Sequence, residues 1–533
     1  MSDIQVHRPL IMGRRGAVAS NHPVATAAGM EVLRAGGNAV DAAVAVALTL
    51  GVVEPHMSGL GGDGFYHAWS AATGRSTTFN GSAPAPRAAT IARYRKAAGI
   101  PNTGPLSVQT PGMVAGLAAL HAAQGSRPWA ALFPAAIEAA RDGFAATHTV
   151  RRFGEANRHR LEPDERSRAI FLPGGQPPAL GALVVQPALA ETLRRLAEGG
   201  AEAFYRGTLA QDLAAALHEA GALPDREDLA GTEALVAPPI AVPYRGFEVR
   251  QTPPNSMGFA LLQMLRIVER WDLRKLGWGS AALIHLLVEA KKCAFLDREA
   301  HAGNAAPPLD FLLSEARAAE HAASITGTAA ARPLRGQPES DTTYFCVVDG
   351  AGNAVSAIQS INSPFGSGVT AGETGILLNN RMSYWHLEEE HPNALRPGRR
   401  VRHTMNAPMV MRDGRPWLVF GTPGADNQVQ VNLQVLVAVV DFGMDPQAAL
   451  EAPRWSSSQP GQESNWPHAG QDLLTLERGI GEATFAGLRD RGHQVQVIDD
   501  LTGPCSVQAI RLLDNGIRMA GSDPRRDGWA GAW

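Results

Sequence analysis

Thr342 is the residue of this sequence for which a chemical role is easiest to argue. It lies between a small, polar, proline-containing segment (326–341) and a β-branched and aromatic run, Thr343–Val348, so it should open a strand that follows a linker. A threonine hydroxyl is a weak nucleophile at neutral pH, but a free α-amino group on the same residue can accept its proton. A cut between Asp341 and Thr342 would create that arrangement. Strand propensity alone would explain the same residue types, so the local sequence leaves both interpretations open.

The elements around Thr342 predict helices that cover sheets. Strands are expected in pairs, Thr343–Val348 with Ala354–Ile358 and Pro408–Met411 with Trp417–Phe420, because each pair flanks a turn sequence. Segment 39–53 is apolar on nearly all sides, which indicates a helix buried between layers. The spacing of apolar residues predicts further helices at 109–125, 128–142, 187–198, 207–221, 260–269 and 281–299. These elements together indicate a layered α+β fold.

A glycine-rich stretch, Ser58–Gly64, has the spacing of a dinucleotide-binding loop but not its context. That motif requires a strand before it and a helix after it. Here a helix is predicted before the glycines, and Phe65–Trp69 has the composition of a strand. We therefore interpret the stretch as a tight turn that could approach an active site, and we predict no cofactor.

Composition excludes several classes of partner. The chain of 533 residues has a formal charge of −3 and no run of lysine and arginine, which argues against nucleic-acid binding. The cysteines, Cys293, Cys346 and Cys505, are too few and too scattered for a disulfide framework or a zinc site. No metal site is predicted.

The N-terminal sequence and the apolar stretches indicate where in the cell the protein should be found. The first twenty residues lack the apolar core of a signal peptide. The most apolar stretch, 39–53, is shorter than the roughly 20 residues that a membrane span needs. We therefore expect a cytoplasmic protein without a membrane partner.

The run from Asp341 to Asn380, DTTYFCVVDGAGNAVSAIQSINSPFGSGVTAGETGILLNN, resembles the start of the small subunit in the γ-glutamyltranspeptidase family of N-terminal nucleophile hydrolases. The resemblance continues in family order along nearly the whole chain. It covers PGMVAGLAAL (111–120), ARDGF (140–144), FYRGTLA (204–210), PPNSMG (253–258), HLLVEAKKCAFLDRE (285–299), GTPGADNQ (421–428) and SDPRRDG (522–528).

This resemblance implies a four-layer αββα sandwich and a chain that cleaves itself before Thr342. It divides the sequence into a large-subunit region, 1–341, which ends in a processing linker at about 318–341, and a small-subunit region, 342–533. The two would remain associated as one intertwined catalytic domain. A homodimer of the processed pair is left open.

The resemblance also assigns catalytic roles. Thr342 matches the nucleophile, and Ser360 matches a family threonine that hydrogen-bonds to it. Gly424 and Ala425 stand where the family has two glycines whose backbone N–H groups bind the oxyanion, the second glycine being replaced.

The substrate-binding positions depart furthest from the family. Asn362 matches an asparagine that contacts the glutamyl head group. The remaining positions carry different residues: Asn80 replaces an arginine that holds the α-carboxylate, Tyr384 an aspartate that pairs with the α-ammonium, Arg381 a neutral or acidic contact, and His403-Thr404 a serine pair.

These departures predict an amidohydrolase for small amides with an anionic acyl group that lacks an α-ammonium, such as an oxamate-like or glutaryl-like group. Arg381 should attract a carboxylate and repel an ammonium, so a glutaryl amide should be preferred over a γ-glutamyl amide. One alternative is a γ-glutamyltransferase that hydrolyses glutathione. A second is a catalytically silent binding protein.

Overall fold

The computed structural model describes residues 6–330 and 341–533. Its helices are α1 (Pro23–Arg34), α2 (Ala39–Val53), α3 (Ile91–Lys96), α4 (Met113–Gln124), α5 (Pro134–Arg141), α6 (His148–Ala156), α7 (Arg158–Leu161), α8 (Glu165–Phe171), α9 (Pro187–Tyr205), α10 (Thr208–Ala220), α11 (Arg226–Ala230), α12 (Gly258–Val268), α13 (Leu273–Leu276), α14 (Ala281–His301), α15 (Leu309–Leu312), α16 (Glu315–Ala323), α17 (Gln428–Val440), α18 (Pro446–Glu451) and α19 (Glu482–Asp490).

The strands are β1 (Ile11–Gly13), β2 (Gly16–Ser20), β3 (Asp63–Ser70), β4 (Arg75–Gly81), β5 (Phe144–Ala145), β6 (Leu183–Val184), β7 (Leu235–Ala237), β8 (Ile240–Tyr244), β9 (Phe247–Gln251), β10 (Asp341–Asp349), β11 (Ala354–Asn362), β12 (Thr370–Ala371), β13 (Ile376–Leu377), β14 (Met409–Arg412), β15 (Arg415–Gly421), β16 (Trp455–Ser458), β17 (Leu473–Glu477), β18 (Val495–Ile498), β19 (Gln508–Leu512), β20 (Arg518–Ser522) and β21 (Trp529–Ala532).

Two seven-stranded sheets stack face to face. The nucleophile sheet has the order β21-β2-β10-β11-β3-β4-β7, and the opposing sheet has the order β1-β20-β19-β15-β14-β9-β8. Apolar side chains from both sheets, including Phe65, Tyr344, Met409 and Ile510, form a buried core between them. Helices cover the outer face of each sheet, so the layers are helix, sheet, sheet and helix. The predicted αββα sandwich is confirmed.

Helix α2 shows why the sequence builds a buried layer. Asn38 and Asp41 form a reciprocal capping box at its N-terminus, which satisfies backbone N–H groups that the first turn leaves unpaired. All of its residues are buried, and its apolar side chains join the core outside the nucleophile sheet. The prediction of an all-round apolar helix between layers is correct.

The regions before and after Thr342 share both sheets. Strand β10 lies between β2 and β11, and β11 in turn pairs with β3. At the sheet edge, β21 from the end of the chain pairs with β2 from its beginning. Separating the two regions would therefore break both sheets.

The start of the predicted linker needs a correction. Residues 318–323 belong to helix α16 (Glu315–Ala323), because Ser314 caps that helix through its hydroxyl. Residues 331–340 of the predicted linker lie outside the described residues. Across the described part of the chain, helices that combine the length and apolarity required for crossing a membrane are absent.

Candidate active site

Thr342 lies at an irregularity in the pairing of β10 with β11. Asp341 is opposite Asn362, whereas Thr343 is opposite Gln359. One residue of β10 therefore faces two residues of β11, which is the arrangement of a β-bulge. The hydroxyl of Thr342 donates to Ser360 Oγ at 3.3 Å, and both side chains are buried. The contact predicted between these residues is present, and its catalytic role stays a prediction.

The residue after Thr342 is anchored by two groups that the sequence analysis did not identify. The Thr343 hydroxyl donates to Glu54 Oε2 at 2.6 Å and accepts from Asn21 Nδ2 at 3.2 Å. Glu54 follows directly after helix α2 and is buried. The sequence offered one indication of this contact. Glu54 is an acidic residue at the end of an apolar helix, and a carboxylate that is buried there requires a partner.

The turn predicted to hold the oxyanion leads from β15 into α17. Gly424 and Ala425 both have left-handed backbone angles, with φ of 116° and 48°. Within residues 6–330 and 341–533, the N–H groups of these two residues have no hydrogen-bond acceptor. Gly421, at the start of the turn, packs against the ring of Tyr344 in β10. The turn is thus located beside β10, the strand whose second residue is Thr342, and its backbone can serve as a donor.

The next residue of this turn, Asp426, fixes the turn to the rest of the protein. Its carboxylate accepts from the backbone N and the hydroxyl of Ser464, each at 3.0 Å. It also pairs with Arg298 of α14, a fully buried arginine. A turn that is held on two sides can keep its donors preorganised.

Arg381 is paired, which corrects the charge count made from the sequence. Its Nε donates to Asp63 Oδ2 at 3.1 Å, and its Nη1 donates to Asn362 Oδ1 at 3.2 Å. Its guanidinium also lies over the ring of Tyr384, 4.4 Å from the centroid. Arg381 is therefore not an uncompensated cation, because Asp63 from β3 neutralises it.

His403 and Thr404 join the same group of side chains. His403 Nε2 is 3.3 Å from Asp63 Oδ2, and the Tyr384 hydroxyl is 2.9 Å from Thr404 Oγ1. Burial, followed by the charge of Arg381, lowers the pKa of His403 to about 4. A neutral imidazole that donates from Nε2 to a carboxylate has Nδ1 as an acceptor, so His403 is a poor partner for a substrate carboxylate.

Two predicted substrate contacts are engaged within the protein. Asn362 Nδ2 donates to Asn380 O, Ser383 Oγ and Asn465 Oδ1 at 2.9 to 3.1 Å. Asn80 accepts from the backbone N and the hydroxyl of Ser82 and donates to Asn255 Oδ1 at 2.7 Å. Asn362 also accepts from Arg381, whereas no hydrogen bond among the described residues joins Asn80 to Arg381. Asn465, a partner of Asn362, was not predicted.

We name Asp63, Arg381, Tyr384 and His403 the acyl pocket, because the sequence predicts that three of them, Arg381, Tyr384 and His403, contact the acyl group of a substrate. Three polar atoms in it, Asp63 Oδ1, Arg381 Nη2 and His403 Nδ1, are buried and lack a hydrogen-bond partner among the described residues. Such atoms are rare because leaving them unpaired costs free energy. The sequence signal for Asp63 was its position as the one charged residue in the glycine-rich stretch Ser58–Gly64.

Two clusters of side chains place three potential metal ligands close together. They are His285, Glu289 and His493, and Glu299, His386 and His391. In each cluster a cation already pairs with the carboxylate: Lys292 lies 3.0 Å from Glu289, and Arg298 lies 2.6 Å from Glu299. These pairs supply the positive charge that a metal ion would bring, so we assign no metal to either cluster.

Stacked sheets between helical layers, together with a threonine near the start of a central strand and a turn with backbone donors beside that strand, define a hydrolase of the N-terminal nucleophile class. The family model described as Gamma-glutamyltranspeptidase matches residues 25–533. The chain therefore belongs to the gamma-glutamyltranspeptidase family.

Individual relatives cover almost the whole chain. The glutathione hydrolase-like YwrD proenzyme of Bacillus subtilis (strain 168) is 37% identical over 98% of this chain and 99% of its own length. The oxamate amidohydrolase proenzyme of Klebsiella pneumoniae subsp. pneumoniae is 33% identical over 97% of this chain and 98% of its own length. Among solved structures, cephalosporin acylase from Bacillus halodurans has a TM-score of 0.91 and 33% identity, covering 100% of this chain and 98% of that one.

Proposed function

We propose that this chain is the precursor of an amidohydrolase that cuts itself before Thr342 and then uses Thr342 as its nucleophile. The observation that carries the proposal is the 3.3 Å contact between Thr342 Oγ1 and Ser360 Oγ, at the irregularity where the pairing of β10 with β11 begins. The word proenzyme in the names of two relatives supports a processed chain.

In the self-cleavage step, Thr342 Oγ1 attacks the carbonyl carbon of Asp341. The peptide C–N bond breaks as the new C–O bond forms, and the proton from the hydroxyl ends on the threonine amine. Water then hydrolyses the ester, which leaves a carboxylate on Asp341 and a free α-amino group on Thr342. The product contains the nucleophile and its base on one residue.

The amidase reaction repeats the same chemistry on a substrate. The α-amino group takes the proton of Oγ1, the oxygen attacks the substrate carbonyl, and the amine leaves after protonation. The N–H groups of Gly424 and Ala425 would stabilise the oxyanion. Water releases the acyl group and restores the enzyme.

The acyl group that we propose carries a carboxylate. Arg381 Nη2 is a buried donor with no partner in the described chain, and a carboxylate forms a strong, charge-assisted hydrogen bond with a guanidinium. Oxamate-like and glutaryl-like acyl groups meet this requirement. The γ-glutamyl group of glutathione is a second candidate, favoured by the unpartnered acceptor Asp63 Oδ1.

The test is turnover of a panel of amides by purified wild-type protein and by Thr342→Ala, with Thr342→Ser as the conservative control. We expect wild type and Thr342→Ser to hydrolyse a carboxylate-bearing amide and Thr342→Ala to hydrolyse none. Hydrolysis by Thr342→Ala would contradict the assignment of Thr342 as the nucleophile. An inactive wild-type chain that stays uncut near 56.4 kDa would favour the silent binding protein.

A further inference from the structure

Thr343, the residue after the predicted nucleophile, is where the regular pairing of β10 with β11 begins. From Thr343, which is opposite Gln359, the register is continuous to Val348. Thr342 instead faces two residues of β11, so the ladder gives it no single opposite residue. The orientation of the peptide bond that we propose is cut therefore depends on how Thr343 is held.

A chain of hydrogen bonds holds the Thr343 hydroxyl across three layers of the sandwich. Gln508, in β19 of the opposing sheet, donates to Asn21 Oδ1 at 2.8 Å. Asn21 directly follows β2 and donates to Thr343 Oγ1 at 3.2 Å. Thr343 Oγ1 donates in turn to Glu54 Oε2 at 2.6 Å, in the range of a strong bond from a hydroxyl to a carboxylate. All four side chains are buried.

Glu54 has a position that stability alone does not favour. It directly follows α2, and its backbone N–H still donates to Leu50 O of that helix. The C-terminal end of a helix carries partial negative charge, so a carboxylate is disfavoured there. Asp41, at the other end of the same helix, has the favourable position and completes the capping box. A buried acid at the C-terminal end is better explained by a function than by stability.

We propose that Glu54 is a positioning residue for the nucleophile. Its carboxylate fixes the Thr343 hydroxyl and, through the backbone of Thr343, the peptide group of Thr342. Before cleavage this contact aligns the Asp341–Thr342 peptide bond with Thr342 Oγ1, and after cleavage it aligns the new α-amino group with the same oxygen. The inference rests on the proposed function and adds to it a residue that acts through Thr343.

The start of β10 is held from both faces of the nucleophile sheet. Gln359, which is opposite Thr343, donates to Ala47 O of α2 at 2.8 Å, and directly opposite residues share a face. The contact with Glu54 is therefore on the face that α2 covers, whereas Thr342 contacts Ser360. If one of the two contacts is lost, the nucleophile can shift, and a small misplacement costs about 10- to 100-fold in rate.

The experiment uses Glu54→Gln, Thr343→Val, the double variant and Thr343→Ser. Self-cleavage is followed by gel, and kcat per mole of cut chain is measured with γ-glutamyl and glutaryl 4-nitroanilides. We expect each single variant to cut itself more slowly and to lose at least about tenfold in kcat, with KM within about twofold of wild type. Because Glu54 acts through the Thr343 hydroxyl, the double variant should be no slower than the slower single variant. Thr343→Ser keeps the hydroxyl and should keep most of the rate.

Asp41→Asn is the matched control on the same helix. Asp41 is also a buried carboxylate that accepts from a hydroxyl, that of Ser126, and from the backbone N of Ser126 at 2.9 Å. It lies about 20 Å from Glu54 along the helix axis. Asp41→Asn should leave kcat unchanged but lower the denaturant midpoint more than Glu54→Gln does, because only Asp41 is favoured by its helix end. The midpoints are compared in the Thr342→Ala background, in which we expect every chain to stay uncut.

Several results would overturn the inference and leave the proposed function in place. They are wild-type rates in Glu54→Gln, multiplied losses in the double variant, or an equal loss of kcat in Asp41→Asn. If Thr343→Val does not fold, the comparison of Glu54→Gln with Asp41→Asn and the rate of Thr343→Ser decide the question. A wild-type chain that neither cuts itself nor hydrolyses either amide would overturn the proposed function and the inference together.

Discussion

The first residues of β10, Thr342 and Thr343, which we call the nucleophile end, adjoin the acyl pocket. The two regions differ in how far their polar groups are hydrogen-bonded within the protein. At the nucleophile end, Thr342 and Thr343 hydrogen-bond to protein groups, Ser360 and Glu54. In the acyl pocket, buried atoms of Asp63 and Arg381 lack partners in the described chain. The comparison separates a region in which the side-chain hydroxyls are hydrogen-bonded within the protein from one in which buried polar atoms lack a partner among the described residues.

The largest expected effect is the loss of amidase activity when the hydroxyl of Thr342 is removed. Thr342→Ala should lower amidase kcat/KM on the order of 10⁶-fold and leave the chain uncut, because one hydroxyl serves both reactions. Thr342→Ser should cut itself and retain activity. Gel analysis and turnover of one amide measure both reactions. If Thr342→Ala cuts itself normally, another residue performs the processing.

The next effect concerns the backbone donors. Gly424→Ala should lower kcat by about 10² to 10³-fold, because the left-handed φ of 116° strains an L-residue and the added Cβ would meet Cys505. Gly443→Ala is the control, since Gly443 also has a left-handed φ, 70°, but an added Cβ there would meet no described atom within 4 Å. Equal losses of kcat in the two variants would show that general strain, not the turn, is responsible.

Substitutions of Ser360 test how precisely the hydroxyl of Thr342 must be positioned. Ser360→Ala removes the acceptor for Thr342 Oγ1 and for the backbone N of Asn362, so misplacement of the nucleophile should cost about 10- to 100-fold in kcat. Ser360→Thr restores a hydroxyl and should recover most of the rate. The ratio between the γ-glutamyl and glutaryl amides should stay constant in both variants. A changed ratio would mean that Ser360 also takes part in specificity.

The smallest effect is on stability and comes from the acyl pocket. Burial, followed by the charge of Arg381, lowers the pKa of His403 to about 4, so between pH 6.5 and about 4 the unfolded chain binds a proton that the folded chain does not. The free energy of unfolding should therefore decrease as the pH is lowered through this window. At pH 5, one such imidazole accounts for a decrease of about 2 kcal/mol.

His403→Gln should reduce that pH dependence of unfolding, measured by denaturant at pH 7 and pH 5. Other buried histidines, including His67, whose pKa burial lowers to about 4, should keep the remaining slope. His67→Gln is thus a comparison outside the pocket. An identical slope in wild type and His403→Gln would mean that the pKa of His403 is the same in the folded protein as in the unfolded chain.

The sequence predicts the nucleophile end better than the acyl pocket for a physical reason. Thr342, Ser360 and the turn at Gly424 lie in short runs of sequence that resemble the family's motifs, and Thr342 and Ser360 are brought together by the pairing of the consecutive strands β10 and β11. The pairing of Arg381 with Asp63 joins residues 318 positions apart, and no local pattern encodes it. Hence the fold and the predicted hydroxyl contact are correct, while Arg381 was wrongly interpreted as an uncompensated cation.

The extent of helix α16 illustrates a similar limit. Its residues are small and polar enough to be assigned to the linker at 318–341, yet Ser314 caps the helix and Ala318 and His321 are buried against the protein. Tertiary packing overrides weak local preference in such segments.

The N-terminal sequence of the smaller fragment tests the central claim most directly. Self-cleavage between Asp341 and Thr342 predicts that Edman degradation of this fragment from purified wild-type protein reads TTYFCVV. Any other first residue would contradict the assignment of Thr342 as the nucleophile.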